Sequence, residues 1–177
     1  MGDVISSERL DLVPLDAEAL SLVVVGDVPG LERALGVVVP PEWPATVPAR
    51  LRLDQLAEDP AELPWLVRAM VDRDERRIVG VTGFHGRPDD RGRAEVGYEV
   101  LPGDRRRGYA REAVLALADW ANASGAALTC VASVAPTNEE SLSLVRSLGF
   151  RQVGERLDPV DGVELVFERG LPFSLDP

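Results

Sequence analysis

The chain has 177 residues, 45% hydrophobic and 28% charged, which fits a single globular domain over residues 1–177 with a real core. Its net charge of −11 argues against nucleic-acid binding, because phosphate contacts need surplus Lys and Arg. No apolar run approaches the ~20 residues that cross a bilayer, so we expect a cytoplasmic protein with no membrane partner.

The first 60 residues predict a strand followed by short helices. Residues 9–15 alternate polar and apolar side chains, which is the period of a half-buried strand. Two short helices are predicted between residues 17 and 39, and a third over residues 51–56. Between them, Pro40-Pro41-Glu42-Trp43-Pro44 cannot continue a helix. This stretch predicts a rigid loop with Trp43 exposed or half-buried, serving packing more than recognition.

The middle of the chain predicts three strands and then a helix. Residues 65–71 and 77–84 form a predicted hairpin around a charged turn, and residues 94–101 form the next strand. Apolar residues then recur at helical spacing from Ala113 to Ala121, and Gly125 fits a left-handed cap.

The last third predicts three more strands and one helix. Residues 127–134 are a short apolar run typical of a buried strand, and Thr137 and Glu140 have capping-box spacing before a helix that Gly149 stops. Residues 150–157 and 163–171 form two final strands around the Asp161-Gly162 turn. Strands and helices in this order predict a mixed α/β fold.

The segment Leu101-Pro102-Gly103-Asp104-Arg105-Arg106-Arg107-Gly108-Tyr109-Ala110 joins a predicted strand to a predicted helix. The first N–H groups of a helix have no internal partner, so this turn predicts a phosphate or pyrophosphate site. Gly108 and Ala110 keep the backbone accessible, and the three arginines add charge-assisted donors. A solvated basic loop that offsets nearby acids is the alternative interpretation.

Two blocks of sequence resemble the GCN5-related N-acetyltransferase (GNAT) superfamily. Residues 105–110 match its acetyl-CoA signature: Gln or Arg, two residues, Gly, one residue, then Gly or Ala. Further on, Asn138-Glu139-Glu140-Ser141 and Leu148-Gly149-Phe150 resemble the second block of its ribosomal-protein alanine acetyltransferase (RimJ/RimL-type) branch. The resemblance implies the GNAT fold, a mixed α/β sheet that splays between its fourth and fifth strands, here residues 94–101 and 127–134, with helices on both faces.

The resemblance also implies acetyl-CoA as the acyl donor. The pyrophosphate would lie on the amides of residues 106–110, and the pantetheine arm would pair with the main chain of residues 99–101. The N–H near Val100 would stabilise the oxyanion. The cofactor-binding residues implied are Val100, Leu101, Arg105, Arg106, Arg107, Gly108, Tyr109, Ala110, Asn138 and Ser141.

The chemistry implied is direct attack of a neutral amine on the thioester, which requires a base. Glu95 lies near the position of the glutamate base of a histone-acetyltransferase relative, and Glu99, on the same strand face, competes for the role. Val145 occupies the position where many relatives carry a tyrosine that protonates the thiolate, so Ser141 is the available hydroxyl. The alternative is that one or both glutamates orient the substrate or face solvent, and that Ser141 is an ordinary polar residue on the helix surface.

The acceptor is less specified than the donor. A protein N-terminus, a polyamine, an aminoglycoside-like antibiotic and an amino-acid metabolite all remain open, with a peptide amine leading through the resemblance. His85 lies near the expected acceptor entrance. With one Cys and one His, we expect no metal site, and Cys130 to be core packing.

Three further questions stay open at the sequence level. A non-catalytic acyl-CoA-binding sensor or regulatory module is the alternative function. It stays open because Val145 stands at the usual tyrosine position and cannot protonate the thiolate. Transfer of a larger acyl group is a weaker option. The oligomeric state is open between a monomer and the homodimer common in the family. All 19 basic residues are arginine, which indicates a bacterial genome rich in GC.

Overall fold

The structure is a computed structural model that describes residues 3–159 and 162–173. Its strands are β1 (Ile5–Ser6), β2 (Leu10–Pro14), β3 (Arg68–Asp72), β4 (Arg77–Phe84), β5 (Arg93–Val100), β6 (Thr129–Val134), β7 (Arg151–Asp158) and β8 (Gly162–Gly170). They form one mixed sheet in the hydrogen-bonded order β1-β2-β3-β4-β5-β6-β8-β7. The predicted mixed α/β fold is therefore confirmed.

Five α-helices accompany the sheet in the described residues. They are α1 (Ala17–Val25), α2 (Val28–Leu35), α3 (Ala49–Glu58), α4 (Tyr109–Ala123) and α5 (Glu139–Ser147). Asp16 and Asp27 start α1 and α2 by accepting hydrogen bonds from main-chain N–H groups at 3.0 and 2.9 Å. Gly26 and Gly36 end these helices at φ values of 70° and 69°, a region that favours glycine.

The chain divides into two compact units. The first unit contains the chain as far as Arg87 together with Gly97–Leu117. In it, β1 to β4 form an antiparallel ladder, and α1 contacts both α2 and α3. Its core includes Leu20, Trp43 and Ile78, which are all fully buried.

The second unit contains Pro88–Val96 and the chain from Ala118 onward. Here β5 and β6 pair in parallel over only three residues, from Arg93↔Thr129 to Glu95↔Val131, although both strands continue beyond that point. The end of this ladder agrees with the predicted splay between these two strands. β6 and β7 each pair with β8 in antiparallel fashion.

Most predicted elements are present within one to three residues of their expected bounds, and two points differ. β1 was not predicted, because two residues carry too little periodicity. The prediction of an exposed or half-buried Trp43 is wrong: residues 43–46 form a 3₁₀ turn that buries the indole completely, and its Nε1–H donates to the Gly80 carbonyl at 2.9 Å. Asp161 of the predicted turn lies outside the described residues.

Among residues 3–159 and 162–173, no helix is both long enough and apolar enough to span a membrane. The assignment of residues 1–177 to one domain stays a prediction.

Candidate functional site

The turn between β5 and α4 presents main-chain donors. A 3₁₀ turn at Pro102–Asp104 ends the strand, and α4 begins at Tyr109. Arg106 and Gly108 both have left-handed backbones, with φ of 63° and 85°. No acceptor within the described part of the chain bonds the N–H groups of residues 106–110. Alternating left-handed residues before a helix form an anion-binding concavity, so this turn can hold a phosphate.

The main chain at the end of β5 offers one donor on its free side. The Leu101 N–H donates to the Val79 carbonyl at 2.9 Å, so it is already occupied by β4. Because N–H directions alternate along a strand, the Val100 N–H points away from β4. The Val100 carbonyl accepts a hydrogen bond from Arg105 Nε at 3.1 Å. Of the two residues predicted here, Val100 is therefore the one whose N–H is directed away from the sheet neighbour.

A buried carboxylate organises the arginines beside the turn. Asp104 is 4% exposed and accepts two hydrogen bonds from the Arg77 guanidinium, at 2.9 and 2.7 Å. Arg107 donates to the same carboxylate at 3.2 Å and to Glu75 at 3.4 Å. The hydrogen bonds from Arg77 hold the pKa of Asp104 below its usual range, against the effect of burial. Arg107 is thus oriented by acids, and Arg105 and Arg106 are exposed.

Tyr109, the first residue of α4, is anchored by a second buried carboxylate. Its hydroxyl donates to Asp72 Oδ2 at 2.5 Å, and burial together with this bond raises the pKa of Tyr109 to about 12. Arg9 lies over the tyrosine ring at 4.8 Å from its centroid, donates to the Arg107 carbonyl at 3.0 Å, and pairs with Glu112 at 2.7 Å. The side chain of Tyr109 therefore holds the start of α4, and its main-chain N–H is the group left to contact a ligand.

No local sequence pattern points to Arg9, Asp72 or Arg77 as supporting residues. Asp72 and Arg77 lie on β3 and β4, and Arg9 directly precedes β2. All three are far along the chain from the turn, and only the pairing of β2, β3 and β4 brings them near it. Asp104 lies inside the segment of residues 101–110, and its burial is not evident from the sequence. Its position one residue before three arginines is the one local hint.

A pocket of about 160 Å³ lies in the first unit. Its lining includes Arg52, Thr82, His85, Tyr98 and Glu99. Glu99 is exposed, and no hydrogen bond or ion pair from the described residues reaches its carboxylate. Gly97 leaves room for the neighbouring imidazole, since a Cβ there would come within 2.9 Å of His85 Nε2. The predicted base Glu99 and the predicted entrance residue His85 are therefore brought together.

Glu95, the other candidate base, is held by an arginine in the second unit. Arg156 donates to both Glu95 oxygens, at 2.7 and 2.8 Å, and to Glu164 at 2.8 Å. These bonds are the first cause of a raised pKa at Arg156. A bidentate guanidinium stabilises the charged form of a carboxylate, which opposes uptake of a proton.

Helix α5 carries the second predicted block in the same unit. The predicted capping box is wrong: Asn138, and not Thr137, caps α5, because its Oδ1 accepts from the Ser141 N–H at 3.1 Å. Asn138 is exposed and Ser141 half-buried, so both remain available to a ligand through Nδ2 and Oγ. Val145 is 1% exposed, part of the core.

Cys130 is buried, and burial raises the pKa of its thiol to about 12, as expected for a packing residue. Among the described residues, no group of three or more His, Cys, Asp or Glu side chains is placed to hold a metal ion.

Comparison with known proteins gives consistent matches. The family model described as an acetyltransferase (GNAT) domain matches residues 9–151. A curated relative, the uncharacterized N-acetyltransferase YjdG of Bacillus subtilis (strain 168), is 35% identical over 86 residues, which are 49% of each chain. The chain spans about half the length of the curated relatives it matches.

Solved structures share the fold. A putative ribosomal-protein-serine acetyltransferase from Vibrio cholerae is 18% identical, with a TM-score of 0.67 over 96% of this chain and 99% of that one. RimL, a ribosomal L7/L12 alpha-N-protein acetyltransferase in complex with coenzyme A, is 15% identical, with a TM-score of 0.66 over 95% and 98%. At such identities the likeness shows the fold alone.

Proposed function

Because the chain belongs to the acetyltransferase (GNAT) family, we propose that it transfers the acetyl group of acetyl-CoA to a primary amine. The main support for acetyl-CoA as the acyl donor is the turn at residues 105–108. There, two left-handed residues precede the N–H groups at the start of α4, which have no acceptor among the described residues. A diphosphate is the ligand that such a turn favours. Arg105 and Arg107 add positive charge beside it.

The acyl donor supplies an activated thioester, and the chain supplies its position and a route for the proton. We assign the N–H groups of residues 106–110 to the pyrophosphate and Nδ2 of Asn138 to the pantetheine arm. The Val100 N–H, which points away from β4, is the proposed donor to the oxyanion. An N–H already aimed at the developing charge lowers the barrier without reorganising in the transition state.

Glu99 is the proposed general base, acting directly or through water. It lines the pocket and is exposed to a ligand, whereas both oxygens of Glu95 are engaged by Arg156. Glu99 takes one proton from the protonated amine and later releases it to water, and the neutral amine attacks the thioester carbonyl. The C–N bond forms, the C–S bond breaks, and the second proton lost by the nitrogen passes to the leaving thiolate, which gives the amide and the free thiol. Ser141 is the hydroxyl proposed to donate to that sulfur; Val145 cannot. Glu95 remains the alternative base.

The test is release of free thiol from acetyl-CoA in the presence of a panel of amines. Glu99→Gln is expected to lower kcat by roughly 100-fold or more, the usual contribution of a general base, with little change in acetyl-CoA affinity. Glu58→Gln, an exposed glutamate on α3, is the matched control and should leave kcat unchanged. If Glu95→Gln abolishes turnover while Glu99→Gln does not, the roles of the two glutamates are reversed.

A non-catalytic acyl-CoA-binding module is the second candidate, favoured by the apolar Val145 in α5. It predicts tight acetyl-CoA binding with no acceptor-dependent thiol release. Competition between acetyl-CoA and succinyl-CoA tests the donor, because a clear preference for succinyl-CoA would replace acetyl transfer with transfer of a larger acyl group.

A further inference from the structure

Arg52 places a buried positive charge on the wall of the pocket that contains Glu99. It lies on α3 and is 7% exposed. Its Nη1 donates to Gln55 Oε1 at 2.6 Å and to the His85 carbonyl at 3.1 Å. Both acceptors are neutral. Its Nε–H is buried and has no hydrogen-bond partner in the described part of the chain.

No carboxylate among the described residues compensates this charge. Burial lowers the pKa of Arg52, and no neighbouring acid raises it. A buried charge without a counter-ion is costly, so buried charges are almost always paired.

Two other arginines of the same unit have the counter-charge that Arg52 lacks. Arg77 pairs with Asp104 at 2.7 Å. Arg68 is 1% exposed and donates to three main-chain carbonyls; burial lowers its pKa to about 10, and the negative charge of Asp3 opposes that shift. Arg52 thus differs from these two arginines because it lines a pocket and no acid among the described residues neutralises its charge.

We propose that this pocket binds an acceptor that carries a carboxylate as well as its amine, with the carboxylate at Arg52 and the amine directed toward Glu99. The inference rests on the proposed acetyl transfer and names its acceptor as a small amino acid. A volume of about 160 Å³ is comparable with the ~150 Å³ cavity that holds benzene, so the acceptor is a small molecule. Its products are the N-acetyl amino acid, the free thiol of coenzyme A and one proton.

The experiment compares alanine with alaninamide, which has the same size and lacks the carboxylate charge. Arg52→Met is expected to reduce kcat/KM for alanine by roughly 10- to 100-fold more than for alaninamide, because a charge-assisted hydrogen bond is lost for alanine alone. Dividing the alanine-to-alaninamide ratio of the variant by that of the wild type removes the difference in amine basicity, which is the same for both proteins. β-Alanine and 4-aminobutyrate then measure which spacing of amine and carboxylate the pocket accepts.

Two further variants separate charge from folding. Arg50→Met removes an exposed arginine of the same helix and should leave the ratio unchanged. Arg52→Lys keeps the positive charge and should retain part of the preference for alanine. Thermal unfolding of each variant identifies any that fails to fold.

The inference is overturned if Arg52→Met lowers kcat/KM for alanine and alaninamide by the same factor, since Arg52 would then only support Gln55 and the His85 carbonyl. It is also overturned if an alanyl peptide is acetylated better than alanine, which would assign the pocket to a peptide terminus. NMR titration of the coenzyme A-saturated protein separates the two proposals. Arg52-dependent binding of alanine without thiol release would refute acetyl transfer and leave the carboxylate site standing.

Discussion

Asp104→Asn is expected to lower the free energy of unfolding at pH 7 by roughly 2–3 kcal/mol. The carboxylate is 4% exposed and accepts two hydrogen bonds from Arg77 and one from Arg107. Removing one partner of a fully buried ion pair costs about 3–5 kcal/mol. The loss should be smaller here, because the side chain of Arg77 is 26% exposed and keeps Glu75 as a partner at 3.1 Å.

Urea denaturation followed by circular dichroism measures this change, and a fall in Tm of roughly 5–10 °C should accompany it for a chain of this size. The pKa of Asp104 is lower in the folded state than in the unfolded chain. Its stabilisation is therefore present above the unfolded pKa of about 4 and is lost as the pH falls through the folded value. The difference between wild type and variant should shrink below about pH 4.

Asp90→Asn is the matched control, because Asp90 is exposed. It should change the unfolding free energy by less than about 0.5 kcal/mol. The reasoning is refuted if Asp104→Asn is as mild as this control at pH 7, or if its effect stays constant as the pH is lowered.

Two other predictions concern the turn and the lone thiol. Arg107→Glu should weaken acetyl-CoA binding by about tenfold or more, as measured by calorimetry, while Arg33→Glu on α2 should not; unchanged affinity would count against the pyrophosphate placement. Native protein should react with a thiol-specific disulfide reagent far more slowly than protein unfolded in urea, because burial raises the pKa of Cys130 to about 12. Rapid reaction of the native protein would contradict this burial.

Most strands and helices of the fold could be predicted from local sequence patterns. The strands and helices were recognisable because their side chains repeat with a period of two or near four, a property of neighbouring residues. The turn at residues 105–108 could also be predicted from neighbouring residues, since Gly108 and the start of α4 are adjacent in sequence. Gly125 and Gly149, predicted to end helices, indeed adopt φ of 69° and 77°.

Two predictions were wrong for different reasons. Thr137 and Asn138 are both good helix caps, and sequence spacing could not rank them; the structure places the cap at Asn138. Trp43 lies among prolines, which is typical of a surface loop, yet the carbonyl of Gly80 on β4 gives its indole N–H a buried acceptor.

The sequence by itself determined the order of most elements, the position of the turn that we propose binds the pyrophosphate, and the family that both imply, because each depends on residues close together in the chain. Only the tertiary structure decided how the polar groups are paired: Asp104 with Arg77, Glu95 with Arg156, and Arg52 with no acid among residues 3–159 and 162–173. Pairing depends on which distant strands and helices meet, and the charge and burial of a site follow from that pairing.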